Sequence, residues 1–191
     1  MKEMNRREFL TLTGAAVVAL SLAGCGGTYA PPAPPAVPTG KEADLLAAIN
    51  RVWKEKYNTK AVDHEQLTLN QEAQGAIKIQ GGIFEDAQNP VRTLTTEDMK
   101  KLVEIKTWEI SMKKKYDLGG AAGFSEPTGE EGNMEVSLTF KYSCEDAVVQ
   151  KFVDKILDYS LSRKAEYISI YLPVVQGTTY MIATVFWNKT A

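Results

Sequence analysis

Residues 41–191 predict an α+β or layered α-β-α domain with a mostly antiparallel sheet. Three observations carry that prediction. Apolar residues recur with helical spacing in the runs up to about residue 110, whereas strict alternation first appears at residue 134. The last two extended runs flank Gln176-Gly177, a pair suited to a tight hairpin turn. Helical runs followed by strands that pair through a short turn argue against a parallel, doubly wound sheet. About 150 residues are enough for one domain with its own core.

The elements follow in order. Thr39 and Glu42 have capping-box spacing, and after them Leu45, Leu46, Ile49, Val52, Trp53 and Tyr57 fall on one helical face. Leu67 and Leu69 flank Thr68 in a short extended lead-in. A second helix is expected from about Asn70 through Ala73, Ala76 and Ile77, with Gly81-Gly82 as its stop. Thr95 and Asp98 suggest a third helix start, with Met99, Leu102, Val103, Lys106 and Ile110 as its stripe and Gly119-Gly120 as its end. Met134, Val136, Leu138, Phe140 and Tyr142 alternate with Glu135, Ser137, Thr139 and Lys141, the pattern of a half-buried strand. Ser143 is the expected cap of a fourth helix that turns Val148, Val149, Phe152, Ile156 and Leu157 inward. Strands over 167–175 and 178–187 close the chain.

The first forty residues are of another kind. Arg6 and Arg7 precede Phe9-Leu10, and residues 9–23 are mostly apolar. A basic start, a short apolar core and a zone of small residues make an export signal. The run falls short of the roughly 20 apolar residues that a spanning helix needs. The arginine pair resembles the twin-arginine export signal, with Asn5 and Thr11 departing from its usual flanks, so the general secretory route stays open. Leu22-Ala23-Gly24-Cys25 resembles the bacterial lipobox, which implies a diacylglyceryl group on the Cys25 sulfur and cleavage after residue 24. Residues 26–40 hold five of the eight prolines and almost no charge. That composition favours an extended spacer of about 3.1 Å per residue, roughly 45 Å in all. The expected organisation is a signal peptide over 1–24, a Pro-rich tether over 25–40 and the domain over 41–191. Its expected place is the extracytoplasmic face of a bacterial cell membrane, held there by the lipid on Cys25.

Removing residues 1–24 leaves 19 basic and 22 acidic side chains, a balance with no nucleic-acid footprint. With Cys25 acylated, Cys144 has no partner in the chain and no disulfide framework is expected.

Residues 43–80, ADLLAAINRVWKEKYNTKAVDHEQLTLNQEAQGAIKIQ, resemble the opening of the CAP superfamily (cysteine-rich secretory, antigen 5, pathogenesis-related 1), also called SCP. The run EDAVVQKFVDKILDY is similar to that family's late helix, and YISIYLPVVQGTTYMIATVFW to its closing hairpin. The resemblance implies an α-β-α sandwich with a central groove, in which many members hold two His and two Glu able to bind a divalent metal. This chain has one histidine, His64, between the first two predicted helices, where the family's groove histidines do not fall. The family's Gly-Glu-Asn-Ile is echoed only by Glu131-Gly132-Asn133-Met134, and the place of its late-helix acid falls near Asp154 or Lys155. The resemblance therefore implies a non-catalytic domain with no metal and no cofactor, binding a small apolar ligand or an envelope partner. Glu126, Glu131 and Asn133 are its candidate groove residues.

Other features each have a simpler reading. His64 between Asp63 and Glu65 has the ingredients for proton transfer, but a lone histidine in a polar loop is more simply solvated. Cys144 at a helix start sits where a thiolate is stabilised, yet no histidine is near it in sequence, and a small packing residue is the simpler reading. Glu126, Glu130 and Glu131 offer paired carboxylates for hydrolysis or calcium, the basis of a rival reading as a secreted hydrolase. Their Gly/Pro-rich setting favours a solvated acidic loop. Lys113-Lys114-Lys115 suits anionic headgroups or, more simply, a helix C-terminus. A purely structural envelope lipoprotein is the third reading.

Overall fold

The structure, a computed structural model, describes residues 40–95, 97–98, 115–129 and 133–189. The export signal with Arg6 and Arg7, Cys25, the stripe from Met99 to Ile110, Lys113, Lys114, Glu130 and Glu131 lie outside them. The fold is α+β: helices with a mixed, mostly antiparallel sheet.

Helix α1, Lys41–Asn58, buries Leu45, Ala48, Ile49, Val52 and Trp53, the i, i+3, i+4, i+7, i+8 stripe of an amphipathic helix. Its N-cap is Gly40, one residue after the predicted Thr39, and Tyr57 is exposed rather than inward. Strand β1, Thr68–Leu69, leads into α2, Gln71–Ala87. That helix runs straight through Gly81-Gly82, which was the expected stop. An added Cβ on Gly81 would meet the ring of Tyr171, 2.6 Å from Cε1, so the glycine admits an aromatic ring rather than ending a helix. The real stop is Gln88, at φ 50°, followed by the Asn89 N–H reaching back to the Phe84 carbonyl, a Schellman-type end made without glycine.

After β2, Val91–Thr93, and the segment that follows it, β3 spans Tyr116–Ala122 and contains Gly119-Gly120. The second glycine pair is thus strand, not helix end. A Cβ on Gly120 would collide with the Ile156 carbonyl oxygen and lie 2.9 Å from Ser162 Oγ. The strand needs glycine there because the end of α3, Asp146–Leu157, closes directly on it.

The predicted strand over 134–142 keeps its alternating burial but not its continuity. Only β4, Glu135–Ser137, is a regular strand, paired antiparallel with β2. Farther on, the Met181 N–H bonds to the Phe140 carbonyl and the Tyr142 N–H to the Thr179 carbonyl. The segment changes partner midway, so no single ladder forms. Ser143 does not cap α3: Glu145 is the N-cap, and Ser143 Oγ accepts the Glu145 N–H at 3.1 Å. Val149, Phe152 and Ile156 are buried as expected, whereas Val148 and Leu157 are half-buried and Val153, not expected inward, is buried beside them. A 3-10 turn, Ser160–Lys164, leads to β5, Tyr167–Tyr171.

The closing hairpin divides in two. Leu172-Pro173 separates β5 from β6, Val174–Val175, and Tyr180-Met181 separates β7, Thr178–Thr179, from β8, Ile182–Asn188. Gln176 at φ 49° and Gly177 at φ 74° make the turn, the positive pair that a two-residue hairpin needs.

The main sheet has the order β1-β5-β8-β3, with β1 parallel to β5 and the other pairs antiparallel. Both faces are covered. Ile168, Ile170, Ala183 and Val185 pack with α1 and α3, while Tyr167, Tyr171, Ile182 and Phe186 pack on the side of α2. Strand β8 therefore buries six residues in a row, as a central strand covered on both faces does. Phe152 is fully buried, with the Phe140 ring edge-on at 5.2 Å.

Candidate functional site

Two side-chain amides extend the pairing around the two-residue strand β1. Asn50 of α1 accepts the Leu67 N–H at 2.8 Å and donates to the Leu67 carbonyl at 3.0 Å. Gln74 of α2 does the same for Ile170, both bonds 3.0 Å and buried. Between α1 and β1 runs a loop held at several points. Trp53 Nε1 donates to the His64 carbonyl at 3.0 Å, the Asp63 N–H bonds to the Arg163 carbonyl at 2.8 Å, and Val62 and Leu67 are buried. Although polar and exposed, His64, Glu65 and Gln66 are thus carried on a braced segment.

That segment forms one wall of an open cleft of about 430 Å³, lined by His64, Glu65, Gln66, Thr68, Glu166 and Tyr167. The parallel register puts Thr68 beside Tyr167, so the start of β5 supplies the other wall. Tyr167 stacks on Phe186 with centroids 5.7 Å apart, and meets the edge of Tyr116 at 5.5 Å. Asn188 Nδ2 donates both to Tyr167 Oη at 3.0 Å and to Glu166 Oε2 at 2.8 Å. Lys54 Nζ sits 2.7 Å from Glu65 Oε1 on the exposed rim.

A second cleft, of about 440 Å³, has Arg92, Thr93, Thr95 and Glu135 in its wall. Behind it Thr95 and Asp98 bond reciprocally: the Thr95 N–H and Oγ1 donate to Asp98 Oδ2 at 2.8 and 2.7 Å, and the Asp98 N–H returns to Thr95 Oγ1 at 3.2 Å. This is the predicted helix start. Arg92 Nη2 lies 2.9 Å from Asp98 Oδ2. Burial alone would raise the Asp98 pKa, but the Thr95 hydrogen bonds and the Arg92 charge outweigh it, and the carboxyl is held below its ordinary 3.8.

The residues singled out from the sequence are dispersed. Glu126 and Asn133 are exposed on a loop whose arms are bonded to each other through Thr128 and Glu135, and neither lines the two clefts. Glu126 is close enough to Lys155 to favour its charge, after the hydrogen bond to Asp158 that does most to raise that lysine's pKa. Cys144 is half-buried, and its Sγ shares a 3.3 Å hydrogen bond with Tyr142 Oη. That bond, burial and the charges of Cys144 and Asp44 push the Tyr142 phenol up to about 12. Among the described residues no group of three or more His, Cys, Asp or Glu converges as metal ligands. None of their helices is long and apolar enough to cross a membrane.

No family model, curated protein or solved structure matches the chain. The site rests on its own geometry. Gln66, Thr68, Glu166 and Tyr167 went unmarked in the sequence, where only the beginnings of two strands hint at them.

Proposed function

We propose that the chain is a lipid-anchored extracytoplasmic binding domain, a non-catalytic CAP-like α-β-α sandwich that takes a small apolar ligand or an envelope partner. The observation that carries the reading is Leu22-Ala23-Gly24-Cys25 behind a short apolar leader and ahead of a proline-rich tether, with the first described helix beginning at Lys41. Two acyl chains on one cysteine hold a protein stably at a bilayer. Three features support the CAP-like part: helices on both faces of the sheet, the Leu67–Leu69 lead-in pairing with β5, and a closing hairpin at the sheet centre. His64 and Cys144 sit on separate segments, and the thiol is bonded to Tyr142 rather than to a base. Binding suits this arrangement better than nucleophilic chemistry does.

Detergent phase partition of the exported protein tests the anchor. The native chain is expected in the detergent phase and Cys25→Ser in the aqueous phase; equal retention of both in the membrane overturns the reading. Replacing Arg6 and Arg7 by Lys blocks export if the twin-arginine route carries the chain, and leaves it unchanged if the general route does.

A further inference from the structure

We propose that the cleft between His64 and Tyr167 binds a small organic cation, an ammonium group on a short apolar body. The decisive group is Glu166. It is half-buried, its side chain bonds to the neutral Asn188, and it has no ion-pair partner among the described residues. An incoming cation would give this carboxylate a charge-assisted hydrogen bond, which the neutral amide of Asn188 does not supply. Glu65, paired with Lys54 at 2.7 Å, adds a second carboxylate to the same cleft. Only Oε1 of Glu65 and Oε2 of Glu166 are taken up in those contacts, which leaves an oxygen of each for a ligand N–H.

Tyr167 supplies the apolar side. Stacking on Phe186, the edge of Tyr116 and the bond from Asn188 fix its ring. A fixed aromatic surface beside carboxylates attracts an ammonium through its π-electrons as well as through charge. The braced loop means that little ordering is needed on binding, so even a small ligand keeps most of its contact energy. A metal ion fits less well, because no third acidic, His or Cys ligand converges with these two among the described residues. A cleft of about 430 Å³ has the size of a small-molecule site. The inference deepens the reading of the domain as a binding module by naming the ligand class.

His64 is the only histidine in the chain, so isotope labelling of histidine gives one imidazole signal, at the cleft. The detergent-solubilised chain is titrated at neutral pH with n-butylammonium, butyrate and n-butanol, which share an apolar body and differ in charge. A saturable shift of the His64 signal with n-butylammonium is expected, with none from the other two. Glu166→Gln should raise the apparent Kd at least tenfold, and Glu145→Gln, exposed at the start of α3, should leave it unchanged. No saturable shift with n-butylammonium, the same response to all three probes, or an unchanged Kd in Glu166→Gln overturns the proposal. Such a failure leaves the anchored reading intact, whereas aqueous partition of the native chain ends the anchored reading and leaves the cation site standing.

Discussion

Gly81 and Gly82 are neighbours in α2, and replacing each by alanine should move stability in opposite directions. A glycine inside a helix costs about 0.5–1 kcal/mol relative to alanine. At Gly82 an added Cβ meets nothing within 4 Å, so Gly82→Ala should realise that gain in full. At Gly81 the same Cβ would fall 2.6 Å from Tyr171 Cε1 and 3.3 Å from Ile182 Cδ1. The ring cannot swing aside freely. Its hydroxyl donates to Glu85 Oε2 at 2.8 Å, and Oε1 of the same carboxylate accepts the Val174 N–H at 2.8 Å. Burial and this bond to Glu85, with the charges of Glu85 and Glu42, raise the Tyr171 pKa above the ordinary 10.0.

Overpacking a filled site costs about 1–3 kcal/mol, and disturbing the Tyr171–Glu85 bond about 1–2 kcal/mol more. Set against the helix gain, Gly81→Ala should destabilise by about 1–4.5 kcal/mol. Urea unfolding of the two variants, with a check that the slopes agree, measures the difference. In a Tyr171→Ala background the Gly81→Ala penalty should disappear, because the clashing atoms are gone. Equal stabilisation by both alanines in the native background would refute the reasoning, since it would mean that Tyr171 does not press on the helix.

Phe152→Ala removes a fully buried ring and should cost about 3–5 kcal/mol, while exposed Lys151→Ala should cost little; denaturant melts giving the reverse order would put the wrong face of α3 inward. Asp98→Asn should cost about 1–3 kcal/mol at neutral pH by weakening charge-assisted bonds. Because the folded carboxyl titrates below 3.8, its contribution is complete above that value and fades as pH falls through the lower folded value. The gap between native and Asp98→Asn stability should therefore narrow in acid, and a gap that stays constant as pH falls well below 3.8 would contradict the assignment. The purified chain should carry no stoichiometric zinc by elemental analysis, and its melting temperature should not respond to chelator or added zinc, since an ion that binds only the folded state must raise it. One zinc per chain, or a zinc-dependent rise, would favour the hydrolase reading instead.

What the sequence made legible was set by how local each signal is. The stripe of α1 apart from Tyr57, the inward Val149, Phe152 and Ile156 of α3, and the Gln176-Gly177 turn depend on residues within a few positions of one another, and these stand as their spacing implies. Both glycine pairs were misread for the opposite reason. A Gly-Gly pair signals a helix end through backbone freedom, a local cause, but Gly81 answers to Tyr171 and Gly120 to the carbonyl of Ile156. The stop at Gln88 carried no glycine at all; Asn89-Pro90 was the nearest signal. The cleft was invisible on the same grounds. Its two walls come from residues 64–68 and 166–167, joined only by the parallel register Thr68↔Tyr167. That register is itself held from outside the sheet, by Asn50 on Leu67 and Gln74 on Ile170. A slip of β5 by one residue would send Tyr167 to the opposite face of the sheet and Ile168 toward the cleft. The composition of the cleft therefore rests on the β5–β8 ladder and on two amides that neither line it nor stand out by type.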